Sequence, residues 1–371
     1  MTESPVAVAA SSALKLRKVG AWRGIRVLAW NGDQLYGCRG YRVVRLNARA
    51  QIDAGGAWEG VASFPPVWWR RLTSRANLSS RLVRDGFHAL AIPGGLGNSE
   101  TMVGAVPGAL VTRDPGSDEF RLTHKIQRGT RPLHITAVPS GQIYWGEYFD
   151  NRERAEVHIY VSTDRGSTWQ IAYTFAAGSI RHIHNMIYDR WGDCLWILTG
   201  DEGSECKVLR ASSDLRSVEA VLTGNQQARA VAAIPRKDAL YLSTDTPSEK
   251  NHVYRLERAG DGNVSVNAER VGDLASSSIY GCGVGDAMFF STMIEPSAVN
   301  TTREVQIAGS RDGANWPVLA RWKKDRFPMR YFQYGNAFLP DGENSTRYLA
   351  ATTIAVEVDD LVTTIWEVES A

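Results

Sequence analysis

The sequence predicts an all-β fold, a β-propeller of seven four-stranded blades. Three observations predict it. Short runs rich in β-branched and aromatic residues, bounded by turn formers, fill the 371-residue chain. No stretch sustains a helical period between capping residues. One strand–turn–strand frame recurs, mostly at the roughly 40–50-residue spacing of a propeller blade.

The frame is a short strand, a polar turn and a strongly apolar second strand. It reads Gly24-Ile-Arg-Val-Leu-Ala-Trp-Asn-Gly-Asp-Gln-Leu-Tyr36 in the first unit and Pro132-Leu-His-Ile-Thr-Ala-Val-Pro-Ser-Gly-Gln-Ile-Tyr-Trp-Gly146 in the third. It returns from His182 to Trp196 and from Ala228 to Leu242. Units begin near positions 22, 84, 130, 180, 227, 277 and 332, which consumes the chain and sets seven blades against an alternative of six. The last unit supplies only about three strands, through Thr364-Ile-Trp-Glu-Val368. Leu14-Lys-Leu-Arg-Lys-Val19 is expected to add its outer strand and close the ring, leaving no open edge. The expected organisation is a disordered lead over 1–12 and one propeller domain over 13–371.

Composition excludes several classes. Lys and Arg number 42 against 40 Asp and Glu, a balance that argues against a nucleic-acid partner. No run of 18 apolar residues exists to span a membrane. The N-terminus lacks a basic start and apolar block, so a cytoplasmic location is expected. Cys38, Cys194, Cys206 and Cys282 are too scattered for a disulfide scaffold, and Cys194 and Cys206 read as buried thiols.

Ser162-Thr-Asp-Arg-Gly-Ser-Thr-Trp169 has the spacing Ser-x-Asp-x-Gly-x-x-Trp. It resembles the Asp-box of the sialidase-like (BNR-repeat) propellers. Ser310-Arg-Asp-Gly-Ala-Asn-Trp316 is similar with one residue missing, and Ser212-Ser-Asp214 keeps the opening of a third copy. The resemblance implies a hairpin joining third and fourth strands, on the face away from the active site. It implies fold rather than chemistry. No Arg-Ile-Pro motif opens the chain, where Ala91-Ile-Pro93 stands instead, so sialic acid is not the expected substrate.

Antiparallel strands alternate in direction, so the loop entering strand one and the loop between strands two and three share a face. At the first place stand Arg26, His88, His134 and His184, then Arg229, Tyr280, and Tyr334 with Asn336. At the second stand Arg39, Glu147, Asp201, Asp245 and Glu295. Taken singly, the histidines read as interior hydrogen-bonded residues and the carboxylates as turn formers. His182 and His184, two apart on a strand after Arg181, share one side of it.

This set suits cleavage of a glycosidic bond in a bacterial or acidic glycan, with one carboxylate as acid and another as nucleophile or base. Glu147 with Asp201 or Asp245 is the expected pair, and Tyr334 is the counterpart of the nucleophilic Tyr the sialidase resemblance implies. Arg26, His88, His134, Arg181, His182, His184 and Arg229 would bind the carbohydrate. No cofactor is expected of a hydrolase. His88, His134 and His184 also resemble the metal site of oligogalacturonate lyases, which implies a divalent cation and a uronate substrate. A non-catalytic propeller that binds a ligand or scaffolds a partner is the third reading. Phe64-Pro-Pro-Val-Trp-Trp-Arg-Arg71 is expected to be an inter-blade loop with buried tryptophans. Gly94-Gly-Leu-Gly-Asn98 is not a phosphate loop, and Lys323-Lys-Asp-Arg326 reads as a solvated turn.

Overall fold

The computed structural model describes residues 14–52, 56–93, 101–259 and 263–369, so the expected lead and the Gly94–Asn98 stretch lie outside them. Seven antiparallel sheets form the blades of a propeller. Blade 1 is Arg26–Gly32, Gln34–Arg39, Arg42–Asn47 and Glu59–Ser63. Blade 2 is Ala89–Ala91, Met102–Val106, Ala109–Arg113 and Arg121–Lys125. Blade 3 is Thr136–Ala137, Ile143–Gly146, Val157–Ser162 and Gln170–Phe175. Blade 4 is His182–Asp189, Cys194–Gly200, Lys207–Ser212 and Val218–Thr223. Blade 5 is Ala230–Pro235, Ala239–Thr244, Asn251–Arg258 and Val264–Leu274. Blade 6 is Ser278–Val284, Ala287–Thr292, Glu304–Ser310 and Val318–Lys323. Blade 7 is Asn336–Phe338, Tyr348–Ile354 and Val362–Glu369, completed by the N-terminal strand Lys15–Arg23. That strand runs antiparallel to Val362–Glu369, pairing Lys15 with Glu369 and Arg23 with Val362, and closes the ring as expected.

Burial explains the pattern. Second strands lie between neighbouring blades and are buried on both faces, which is why Cys194–Gly200 and Ala239–Thr244 read as continuous apolar runs. Fourth strands are outermost and largely exposed, as in Gln170–Phe175. Fully buried Trp196 donates its indole N–H to Asp189 Oδ2 at 2.9 Å, and the same oxygen takes Arg258 of blade 5 at 2.7 Å. A large apolar side chain buried like this contributes about 2–3 kcal/mol.

The three Ser–Asp turns all join third to fourth strands, in blades 3, 4 and 6. Asp164 Oδ1 accepts from the amides of Ser167 and Thr168, and Ser162 Oγ accepts from Gly166, whose φ of +83° favours glycine. Asp312 repeats the arrangement with Ala314 and Asn315. These hairpins are structural devices remote from the cavity.

Two features depart from the sequence reading. Residues 64–88, between blades 1 and 2, form a flap with helices Trp68–Thr73 and Asn77–Val83. Its tryptophans are not buried, for Trp68 is 75% exposed and Trp69 39%. The turn at Lys323–Arg326 is not solvated either. Lys324 and Asp325 are buried and paired, and Asp325 takes Arg81 of the flap at 2.7 Å. A short charge run gives no hint of a distant partner. All four cysteines are free thiols, three of them buried. No described helix is long and apolar enough to cross a membrane.

Candidate functional site

First-strand entries of the seven blades and second-to-third loops of most of them surround a cavity of about 520 Å³. On the other side, Asp341–Asn344 of blade 7 adds a fifth strand to blade 1, parallel to Ala29–Gly32, and fills the channel. Asp341 tops this plug and meets His134 Nδ1 at 2.9 Å. The flap overhangs the mouth. Arg81 ties it to the blade 6–7 connection through Asp325 and the Phe332 carbonyl and to a blade 7 loop through Asp360, and Arg131 Nη1 donates to the Arg84 carbonyl at 2.8 Å. Arg84 ends the second flap helix in a left-handed conformation, φ +53°.

Charge in the cavity is lopsided. Arg26, Arg39, Arg75, Arg81, Arg84, Arg131 and Arg229 line it, against Asp85, Asp245 and Glu295. Arg81 and Arg229 have carboxylate partners, and Asp85 is held by Arg70 at 2.7 Å. Among the described residues Arg26, Arg84 and Arg131 have none. Burial, with Arg26 and Arg84 alongside, pulls the Arg131 pKa down to about 9. Arg26 lies over the Phe338 ring at 3.8 Å and donates to His88 Nδ1 at 3.3 Å. An arginine cannot accept, so His88 carries its proton on Nε2, which is buried and has no protein partner. Burial and the arginines push the His88 pKa well down, keeping the ring neutral. Together these groups form a wall of donors without a carboxylate partner, on which Arg26 Nε and His88 Nε2 are buried with no partner at all.

Opposite lies a carboxylate group. Asp245 is 5% exposed, pairs with Arg229 at 3.3 Å, and leaves Oδ1 without a partner. Burial raises its pKa to about 7; Arg229 opposes the rise, whereas Glu295 and Asp201 add to it. Glu295 accepts from Ser277 Oγ at 2.7 Å. Tyr148 lines the same side, its ring 4.4 Å from that of His182. Burial and the nearby Asp201 and Asp245 lift its phenol to about 12.

The expected site residues fall in three groups. Arg26, His88, His184, Arg229, Asp245 and Tyr334 line the cavity, with Tyr334 exposed at 41%. Asp201, Arg181 and His182 adjoin it in a cluster around the Asp201 carboxylate, with His184 between the two groups. Glu147 and His134 are not cavity-lining residues. Glu147 is gripped by Arg128 and the His158 amide, and His134 sits on the plug. The structure therefore does not gather His88, His134 and His184 around one point. His88 faces Arg26, His134 faces Asp341, and His184 faces His182 and Asp201.

No family model matches the sequence. No curated protein matches it either. Solved structures share its fold. It is similar to the WD40 β-propeller domain of Doa1 with TM-score 0.55 and 8% identity, over 96% of this chain and 97% of that one. It is similar to an ancestral GH74 enzyme with TM-score 0.53 and 13% identity, over 94% of this chain and 46% of that one. A puromycin hydrolase matches with TM-score 0.55 and 12% identity, over 90% and 50%. At these identities the likeness shows the propeller fold alone.

Proposed function

We propose that the chain is a carbohydrate-active enzyme that cleaves a glycosidic bond in an acidic glycan, as a hydrolase of the sialidase-like propeller type. The observation that carries this is Asp245, a buried cavity carboxyl with a free oxygen and a pKa near 7. Such a group holds a proton at neutral pH and delivers it to a leaving oxygen. Glu295 is the second carboxylate, replacing Glu147 in the pair expected from sequence. Asp201, already ion-paired with Arg181 and Arg229, is not the proton donor in this reading. The acid group of the glycan lies against Arg26, Arg84, Arg131 and His88 Nε2–H, where charge-assisted hydrogen bonds gain strength from burial. The Ser–Asp hairpins support the sialidase-like propeller part of this reading, and the GH74 likeness supports the propeller fold alone.

The test is reducing-end release from oligosaccharides bearing uronate, sialate or sulfate groups, with neutral counterparts as controls. Cleavage confined to acidic substrates is expected, with kcat falling roughly 10²–10⁴-fold in Asp245→Asn. Calorimetric binding of an acidic glycan without turnover would assign a binding module instead. Turnover unchanged in both Asp245→Asn and Glu295→Gln would sink the catalytic assignment.

A further inference from the structure

We infer that His182, His184 and Asp201 form a binding site for a divalent first-row transition-metal ion. His182 and His184 lie in the first strand of blade 4, and Asp201 follows the second. His182 Nδ1 lies 2.9 Å from the Phe149 carbonyl, and His184 Nδ1 lies 2.9 Å from the Ala230 carbonyl. A carbonyl only accepts, so both rings carry their hydrogens on Nδ1. Each ring, when neutral, therefore presents a bare Nε2 lone pair. The two Nε2 atoms are 3.1 Å apart, and they lie 3.4 Å and 3.2 Å from Asp201 Oδ1. Three acceptors thus converge where hydrogen bonds would require donors. One added proton satisfies only one edge of the triangle; a cation satisfies all three.

The dimensions fit a metal. With bonds of roughly 2.1 Å, neighbouring donors stand about 3.0 Å apart in octahedral geometry and about 3.4 Å in tetrahedral geometry. The observed edges, 3.1 to 3.4 Å, fall within that interval. Ring N–H groups donated to backbone carbonyls are the usual outer support of metal-binding histidines. Arg181 Nη1 holds Asp201 Oδ2 at 3.1 Å and leaves Oδ1 turned to the nitrogens. Arg229 also reaches Oδ1, at 3.4 Å, while Asp150 and Asp245 offset the two arginines. Gly200 leaves room for the ring, because a Cβ there would collide with His184 Cε1. Two imidazoles and one carboxylate with open positions suit Mn, Fe(II), Co or Zn. His184 borders the cavity, which gives an entry path. This inference rests on local geometry and stands or falls apart from the hydrolase reading.

The test uses the full, untagged chain. Elemental analysis after mild purification should find about one metal equivalent per chain, removable by chelator. The stripped protein should bind Co²⁺ with a visible absorption band, and Zn²⁺ and Mn²⁺ with heat in calorimetry. Asp201→Ala and His182→Ala should weaken uptake at least about tenfold. His252→Ala, in a separate histidine–carboxylate pair with Asp273, should leave it unchanged. Where a ligand variant fails to fold, Gly200→Ala decides, since it displaces His184 without removing a donor and should weaken Co²⁺ binding. Absence of Co²⁺, Zn²⁺ and Mn²⁺ binding by wild type, or uptake unchanged in folded Asp201→Ala, would overturn the assignment.

Discussion

Replacing Asp245 by Asn should stabilise the protein, and more at high pH than at low pH. In the native state this carboxyl has its pKa raised from 3.8 to about 7, with burial as the largest cause. Below pH 3.8 it is protonated whether the chain is folded or not, so it contributes no pH dependence. Between 3.8 and about 7 the folded state retains a proton that the unfolded chain has released, and stability falls as pH rises. Above about 7 the loss levels off near 4 kcal/mol, taking about 1.4 kcal/mol for each tenfold change in proton affinity. At pH 5 the same arithmetic gives about 1.7 kcal/mol. A 371-residue chain has an unfolding entropy of roughly 0.8 kcal/mol/K. Asp245→Asn should therefore raise Tm by about 5 °C at pH 8 and about 2 °C at pH 5. Asn also retains a carbonyl for Arg229, which keeps Asp201 as a second partner. Scanning calorimetry of both proteins across this range measures the difference. A variant that melts below wild type at pH 8, or a gain that ignores pH, refutes the claim that burial dominates this carboxyl.

Further outcomes follow from the cavity and the ring. Arg131→Ala should weaken binding of an acidic oligosaccharide about 10–100-fold by calorimetry, the loss of one charge-assisted hydrogen bond, while leaving Tm unchanged or higher because Arg26 and Arg84 are relieved of a like charge. Arg81→Ala should cost about 3 kcal/mol in urea unfolding, because it strands Asp325 with Lys324 alone, and limited proteolysis should then cut faster within 64–88. Deleting Lys15–Arg23 should expose the edge of Val362–Glu369 and yield aggregation in light scattering, because that strand completes blade 7.

The ring was legible in the sequence because the blade repeat repeats its causes. Each second strand is buried on both faces, so four separate units carry the same apolar run, and the last unit visibly lacks one strand. The cavity was legible only where the frame fixed a position. His184, Arg229 and Asp245 follow from counting along aligned strands. Glu147 fails by one residue, since neighbours on a strand point to opposite sides, and Tyr148 is the one that faces the cavity. Glu295 was placed at the mouth without a role. Arg84 and Arg131 left no signal, because both lie in connections that the repeat does not constrain. The flap helices escaped for the same reason. They are only 6 and 7 residues long, too short for a helical period to emerge.

The cavity's polar atoms argue that it evolved to hold something. Arg258 and the Trp196 indole share Asp189 and show how a buried charge is satisfied locally. Around the cavity and its adjoining cluster, Arg26 Nε, His88 Nε2, Arg181 Nε, Arg229 Nε, Asp245 Oδ1 and Asn336 Oδ1 are all buried without a protein partner. An orphaned buried polar atom costs about 1–3 kcal/mol, and like-charged arginines beside one another add to that. A fold indifferent to ligands would shed such a cluster through substitutions to apolar residues, since stabilising changes are easy to find. The costs are also complementary rather than random. Donors collect on the wall of Arg26, His88 and Arg131, and a proton-bearing carboxyl faces them from blade 5. A neutral sugar would satisfy the second group and leave the first exposed to its own repulsion. An acidic one meets both.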